Sequence, residues 1–175
     1  MNKKLAMLLG FLFSDGCVSR KGRNSWRIYF SNKSESLINL FRDCILGVFR
    51  LTSERVRIGK TSNEFPKAVV DSKEIGNWLV NTYGKFRTLR FKDGKLPKVK
   101  LPIAELINKG YTADFLRVVF SCDGGISFYP AYQKTKYGER KFLIRTLFLS
   151  CAHPSLRADY MKLLASLGIK ARNVG

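Results

Sequence analysis

Between residues 3 and 13 the chain is apolar almost all round, with only Lys3 and Lys4 charged. A segment without a polar face predicts a helix buried on every side. The period then changes to two. Residues 17–21 and 25–31 read as strands, and Gly22, Arg23 and Asn24 between them supply hairpin-turn chemistry. In the second strand Trp26, Ile28 and Phe30 alternate with Arg27, Tyr29 and Ser31. That alternation predicts an apolar face on the core and a basic, polar face outward. Ser34 followed by Leu37, Ile38, Phe41, Ile45 and Phe49 predicts a capped amphipathic helix. Alternation returns over residues 55–60, with Val56 and Ile58 expected inward and Arg55 and Arg57 outward. Residues 65–71 read as a fourth strand opened by Pro66. Asp71 or Ser72 then caps a helix through residue 83 that carries Ile75, Trp78 and Leu79.

The pattern then starts over. Residues 83–102 are basic and punctuated by Gly and Pro, and read as a linker. Thr112 is expected to cap a helix through residue 122. Strands are predicted over 125–132 and 141–150, with 134–140 as a basic hairpin loop. Pro154 opens a helix that Gly168 ends. The chain therefore divides into a first half (1–83), a basic linker (84–111) and a shorter second half (112–175). The first half's third and fourth strands and last helix have no full counterpart. The expected fold is α+β, with two αββαββα-type halves related by a pseudo-twofold. Each contributes a small antiparallel sheet backed by helices.

Charge changes the picture. The formal net charge is +19. The excess is spread along the chain: 22 Lys and Arg against 9 Asp and Glu in residues 1–110, and 10 against 4 in residues 111–175. Self-repulsion of that size destabilises a compact protein, so a polyanionic partner is the natural explanation. With a hydrophobic fraction of 45%, the chain is no disordered basic tail. No apolar run reaches the roughly 18 residues a membrane span needs. The opening apolar run lacks a signal-peptide cleavage pattern. An intracellular protein with no membrane partner is expected. Cys17, Cys44, Cys122 and Cys151 form no Cys-x-x-Cys pair, and His153 is the one histidine. That inventory argues against a zinc site and a Ser-His-Asp triad, and it excludes a histidine-metal nuclease motif.

The candidate chemistry lies in a repeat. Leu8-Leu9-Gly10-Phe11-Leu12-Phe13-Ser14-Asp15-Gly16 is echoed by Leu116-Arg117-Val118-Val119-Phe120-Ser121-Cys122-Asp123-Gly124. Each is an apolar helical run ending in a small residue, an aspartate and a glycine. The repeat puts Asp15 and Asp123 at equivalent points near the axis between two similar halves. A buried carboxylate pair there is electrostatically costly unless a cation sits between its members. Small residues at i, i+4 on one helix face permit close packing. Gly10 and Ser14 satisfy that spacing, and the second helix has Val118 and Cys122.

This paired motif resembles the LAGLIDADG homing endonucleases in their two-motif, single-chain form. The resemblance covers most of residues 3–170. It includes the junction at Phe30-Ser31-Asn32-Lys33-Ser34-Glu35-Ser36-Leu37 and a terminal Leu167-Gly168-Ile169. Val118 stands where the family usually has glycine. Phe13 and Ser121 stand where it often has an acid. The resemblance implies a magnesium-dependent endonuclease that hydrolyses both strands of double-stranded DNA and leaves short 3′ overhangs. Mg²⁺, or Mn²⁺ or Ca²⁺ in its place, is expected on Asp15 and Asp123, with carbonyls of Ser14 and Cys122 as further ligands. It also implies that Asn32 positions water and that Lys33 stabilises developing charge at the scissile phosphate. The second half offers Cys151 and Ala152 at the matching positions, and a further catalytic lysine is expected within 85–100.

The two sheets would form a basic saddle. Candidates for DNA contact are Arg20, Lys21, Arg23, Arg27, Tyr29, Arg55 and Arg57, with Lys134, Lys136, Arg140 and Arg145 in the second half. No protein-splicing segments flank the motifs, so a free-standing, intron-encoded monomer is expected. The alternatives are a maturase binding intron RNA and a non-cleaving DNA-binding protein on the same scaffold.

Overall fold

The computed structural model describes residues 1–86 and 94–174. The first buried helix is α1 (Lys3–Phe13), in which Ala6 through Phe13 are all buried. Strands β1 (Gly16–Lys21) and β2 (Ser25–Ser31) form the expected hairpin, with Val18 opposite Ile28. Helix α2 (Glu35–Phe49) starts at Ser34, whose hydroxyl accepts from Leu37 N. Strands β3 (Arg57–Lys60) and β4 (Pro66–Asp71) follow, and then α3 (Lys73–Tyr83), capped by Ser72 rather than Asp71. The sheet is antiparallel with strand order β1-β2-β4-β3.

One face of this sheet is the core. Ile28, Phe30, Ala68 and Val70 are fully buried against the helices. Phe11 from α1 packs edge-on to Phe30 and Phe41, at 4.7 and 5.7 Å between ring centroids. Burial of such aromatic side chains is the main stabilising contribution in a domain of this size.

The edge of the sheet departs from the expected register. Val56 is buried, but Ile58 is 52% exposed. It shares a face with Ala68 across the ladder. However, β3 is a four-residue edge strand on which every position is exposed. Arg55 is not on the strand at all. It ends a 3₁₀ turn (Ser53–Arg55) and lines a cleft with Met1, Phe49 and Trp78. Trp78 is 41% exposed, packed edge-on against Phe49 and Tyr83 rather than sunk in the core.

The expected linker is partly built into the fold. Phe86 is buried against Phe13, Gly84 bridges to Val99, and a short helix, α4 (Ile103–Asn108), buries Leu106. Residues 87–93, including Lys92 of the expected catalytic-lysine stretch, lie outside the described residues. The second motif helix is α5 (Thr112–Asp123). Thr112 does not cap it. Tyr111 occupies the cap position, and Thr112 is a buried first-turn residue.

Strands β5 (Gly124–Thr135) and β6 (Gly138–Leu149) pair along their whole length, so the expected loop at 134–140 contracts to a turn at Lys136 and Tyr137. Helix α6 (Pro154–Ser166) follows, capped by His153. This hairpin is not backed by helices as expected. Ile126, Phe128, Leu143 and Leu147 share the face of Leu149 and are each more than half exposed. The equivalent Ile28 in the first sheet is fully buried. There α2 and α3 supply the cover, whereas α6 packs instead on α4 and α5.

Candidate active site and nucleic-acid interface

Helices α1 and α5 pack side by side, and at Gly10 they approach closely. A methyl group there would lie 2.9 Å from both the Phe115 carbonyl oxygen and Val118 Cβ. The close contact therefore pairs a glycine on one helix with a valine on the other. Beyond the helices the chain turns back sharply at Gly16 and Gly124. A Cβ on Gly16 would meet the Phe11 oxygen at 2.6 Å, and one on Gly124 would meet the Phe120 oxygen at 2.5 Å. Glycine is needed at both places for this contact with the helix's own last turn, not for a left-handed φ.

These two turns deliver Asp15 and Asp123 to one cleft of about 250 Å³, lined also by Phe13, Ser14, Ser150, Cys151 and Ala152. Partial burial raises both carboxyl groups above the usual range. Asp123 is pushed up to about 6, first by burial and then by the charge of Asp15, with Ser14 pulling the other way. Asp15 is raised by burial and partly restored by a hydrogen bond from Asn32. Asn32 Nδ2 donates to Asp15 Oδ2 at 2.9 Å, and Asn32 Oδ1 accepts from Ser34 N at 2.9 Å. The start of α2 thus aims Asn32 at the carboxylate.

The site is asymmetric. Cys151 and Ala152 line the cleft where Asn32 and Lys33 have their counterparts, and the Cys151 thiol is turned to the His153 carbonyl. Lys33 is parked, with its ammonium 5.2 Å from the centre of the Phe65 ring. Burial and the two nearby aspartates push the Cys122 thiol up to about 12, so it stays protonated.

The donor set suits a hard divalent cation. Two carboxylates resist ionising together, and a cation between them removes that cost. Among the described residues no group of three or more His, Cys, Asp and Glu is placed to hold a metal. Backbone carbonyls, water and a bound phosphate would have to complete the shell. His153 is not available to such a site. It is buried, with Nε2 at 2.9 Å from the Pro97 carbonyl and Nδ1 accepting from Leu156 N.

The outward face of the first sheet carries the basic residues. By the ladder register Lys21, Arg27, Tyr29, Arg57, Lys67 and Asp71 share it. Arg23 is exposed in the hairpin turn. Arg20 lies on the opposite face, stacked over Trp26 at 4.9 Å. In the second hairpin Arg140 is on the face equivalent to Arg27, whereas Arg145 and Lys134 are on the face equivalent to Arg20. Lys136 sits in the turn beside Tyr137. Arg20, Arg55, Lys134 and Arg145 are therefore not where a flat reading of the saddle puts them.

Lys67 is absent from the sequence-based expectations, and Asp71 enters them only as a candidate helix cap. Lys67 alternates in phase with Val69 and Asp71, which the strand pattern could have shown. Asp71 forms ion pairs with Lys21, Arg27 and Arg57 at once, and these hold its carboxyl well below the usual range.

Comparison with known proteins agrees with the fold. Residues 2–78 match the family model of the LAGLIDADG-like domain. Two solved structures of the homing endonuclease I-DmoI share the fold. One is a substituted form in complex with its target DNA in the presence of Mn, with TM-score 0.54 and 18% identity. It covers 95% of this chain and 76% of that one. The other is a mesophilic variant, with TM-score 0.54, 17% identity, and coverage of 95% and 77%. The architecture is thus the α+β LAGLIDADG fold, with two motif helices at its centre. Within the chain, residues 2–78 are thus similar to the LAGLIDADG-like domain, and the chain as a whole shares the fold. A 125-residue stretch is also 30% identical to part of the replication factor C small subunit of Methanocaldococcus jannaschii. It spans 71% of this chain and about 6% of that protein's length. No helix among the described residues is long and apolar enough to cross a membrane.

Proposed function

We propose that the chain is a site-specific endonuclease that acts as a monomer and cuts both strands of a long double-stranded DNA target. The observation that carries this reading is the meeting of Asp15 and Asp123 in one cleft, beside a sheet whose outward face is basic. The unit around each motif, residues 1–83 and 112–175, engages one half of the target, with 84–111 joining them. Asp15 and Asp123 would hold Mg²⁺, for which Mn²⁺ or Ca²⁺ can substitute in binding, and carbonyls of Ser14 and Cys122 would add oxygen donors. Such a cation, when bound, neutralises charge on the phosphate and activates water.

The protein's own residues do the rest. Asn32 holds the Asp15 carboxylate in place and lowers its affinity for a proton. Lys33 reaches a phosphate only by leaving the Phe65 ring, so its contribution depends on DNA being present. One carboxylate comes from each half, which suits one cut per strand. The basic face supplies sequence-independent grip through phosphates, with selectivity from side chains that reach base edges.

The test is a randomised duplex library incubated with the protein with and without Mg²⁺, followed by sequencing of the cut ends. The proposal expects a shared sequence flanking metal-dependent ends with short 3′ overhangs. Enrichment of bound duplexes without any cut ends would instead favour a non-cleaving DNA-binding protein.

A further inference from the structure

The outward face of the first sheet carries a single acidic residue among its cations, and the fold builds a four-strand cluster around it. Lys21 comes from β1, Arg27 from β2, Asp71 from β4 and Arg57 from β3. Each strand of the sheet supplies one member. Arg27 grips the carboxylate with two bonds, Nε to Oδ1 at 3.0 Å and Nη2 to Oδ2 at 3.3 Å. Lys21 Nζ donates to Oδ2 at 2.6 Å, and Arg57 Nη2 donates to the same oxygen.

Exposure is graded. The Asp71 side chain is 16% exposed, whereas Arg27, Lys21 and Arg57 are 40, 47 and 60% exposed. The carboxylate lies beneath and the cations lie above it. Three cations around one anion leave the cluster with two positive charges. Each cation also keeps N–H donors that Asp71 does not use, because a guanidinium has five and an ammonium three. Without Asp71 the three cations would repel one another and sample many rotamers.

We propose that Asp71 is a positioning residue for DNA recognition, fixing Lys21, Arg27 and Arg57 as one preorganised surface for reading base edges. The proposal rests on the DNA-recognition reading above. Asp71 touches no nucleic acid in this role and acts through the three cations. A surface charge that only attracts phosphate needs no such fixing, because phosphates are met everywhere along a duplex. Base readout does need it, since a bidentate fork must arrive in one plane and at one place. Ordering a long side chain before binding is worth about two- to tenfold in affinity. That gain applies only to the sequence whose bases fit the fixed geometry.

The test compares Asp71→Asn with wild type and with Glu64→Gln. The second variant removes the same charge from the turn between β3 and β4, where Glu64 pairs with Lys60 outside the cluster. Dissociation constants are measured without divalent cation for the target recovered from the library and for a scrambled duplex, across salt. Thermal melts establish that all three proteins are folded. Asp71→Asn is expected to bind the scrambled duplex as well as wild type or better, and to lose about tenfold or more of the specific-to-scrambled ratio. Glu64→Gln should keep that ratio within about twofold. A ratio for Asp71→Asn equal to that of Glu64→Gln would overturn the proposal. A wild type that does not discriminate at all would overturn the DNA-recognition reading itself, and this proposal with it.

Discussion

Alanine at Gly10 tests whether the two motif helices meet as closely as the site requires. The added methyl would stand 2.9 Å from a backbone oxygen and 2.9 Å from Val118 Cβ. Neither atom can swing aside, so α1 and α5 must separate by several tenths of an ångström. Overpacking of this kind costs about 1–3 kcal/mol. Alanine also gains up to about 1 kcal/mol of helical preference over glycine. Gly47, in α2, provides the reference. The three atoms nearest a methyl there are Cδ, Cε and Nζ of Lys4, the far end of a flexible and exposed side chain. Gly47→Ala should therefore be neutral or stabilising. Both substitutions share the same helical gain, so their difference isolates the steric cost of about 1–3 kcal/mol. At 175 residues, that corresponds to a gap in Tm of about 2–12 °C. Calorimetry or urea melts of the two variants would measure it. Equal stability, or a Gly10→Ala variant more stable than Gly47→Ala, would refute the close approach.

Two further outcomes follow from the site's electrostatics. Burial and Asp15 raise Asp123 to about 6 in the folded protein. The folded state therefore holds a proton more tightly than the unfolded state, and stability falls as pH rises through that range. Asp123→Asn should raise Tm above the wild-type value at pH 8, with the gap closing as pH falls towards 4. Added Mg²⁺ should raise Tm of wild type at pH 8 and leave Asp123→Asn unmoved, and equal metal-induced shifts in both would refute the shared cation site. Asn32 lowers the proton affinity of Asp15 by donating to it. In Asn32→Ala the acid limb of the cleavage–pH profile should move to higher pH at saturating Mg²⁺; an unmoved limb would show that this hydrogen bond has no role in the reaction.

Most local signals in the chain were reliable, the Thr112 cap and the 134–140 loop excepted, whereas of the long-range ones only the repeat was. Helix α1, the Ser34 and Ser72 caps and the alternation in β2 depend on neighbours a few residues away, and they are where the pattern put them. The cleft follows from the repeat itself, since two equivalent helix ends on one axis must bring their aspartates together. Ile58 shows the limit. Its alternation is correct, yet every position of the short edge strand that carries it is exposed. Arg20 and Arg145 were legible in principle. Each has the parity of a residue packed on the core, Val18 for the first and Leu149 for the second. The ion-pair cluster around Asp71 was not legible, because its partners Arg27 and Lys21 lie 44 and 50 residues away and only the strand order brings them together. His153 was likewise opaque. Its cap is local, but its contact with Pro97 spans 56 residues.

The central claim is that Asp15 and Asp123 form one metal-dependent centre for cutting DNA. Its most direct test is strand-resolved cleavage of the recovered target by Asp15→Asn and by Asp123→Asn, alongside their affinities for the same duplex. Each variant should lose double-strand cleavage while binding the target about as tightly as wild type, because the grip comes from Lys and Arg. Either variant cutting both strands at the wild-type rate would contradict the account.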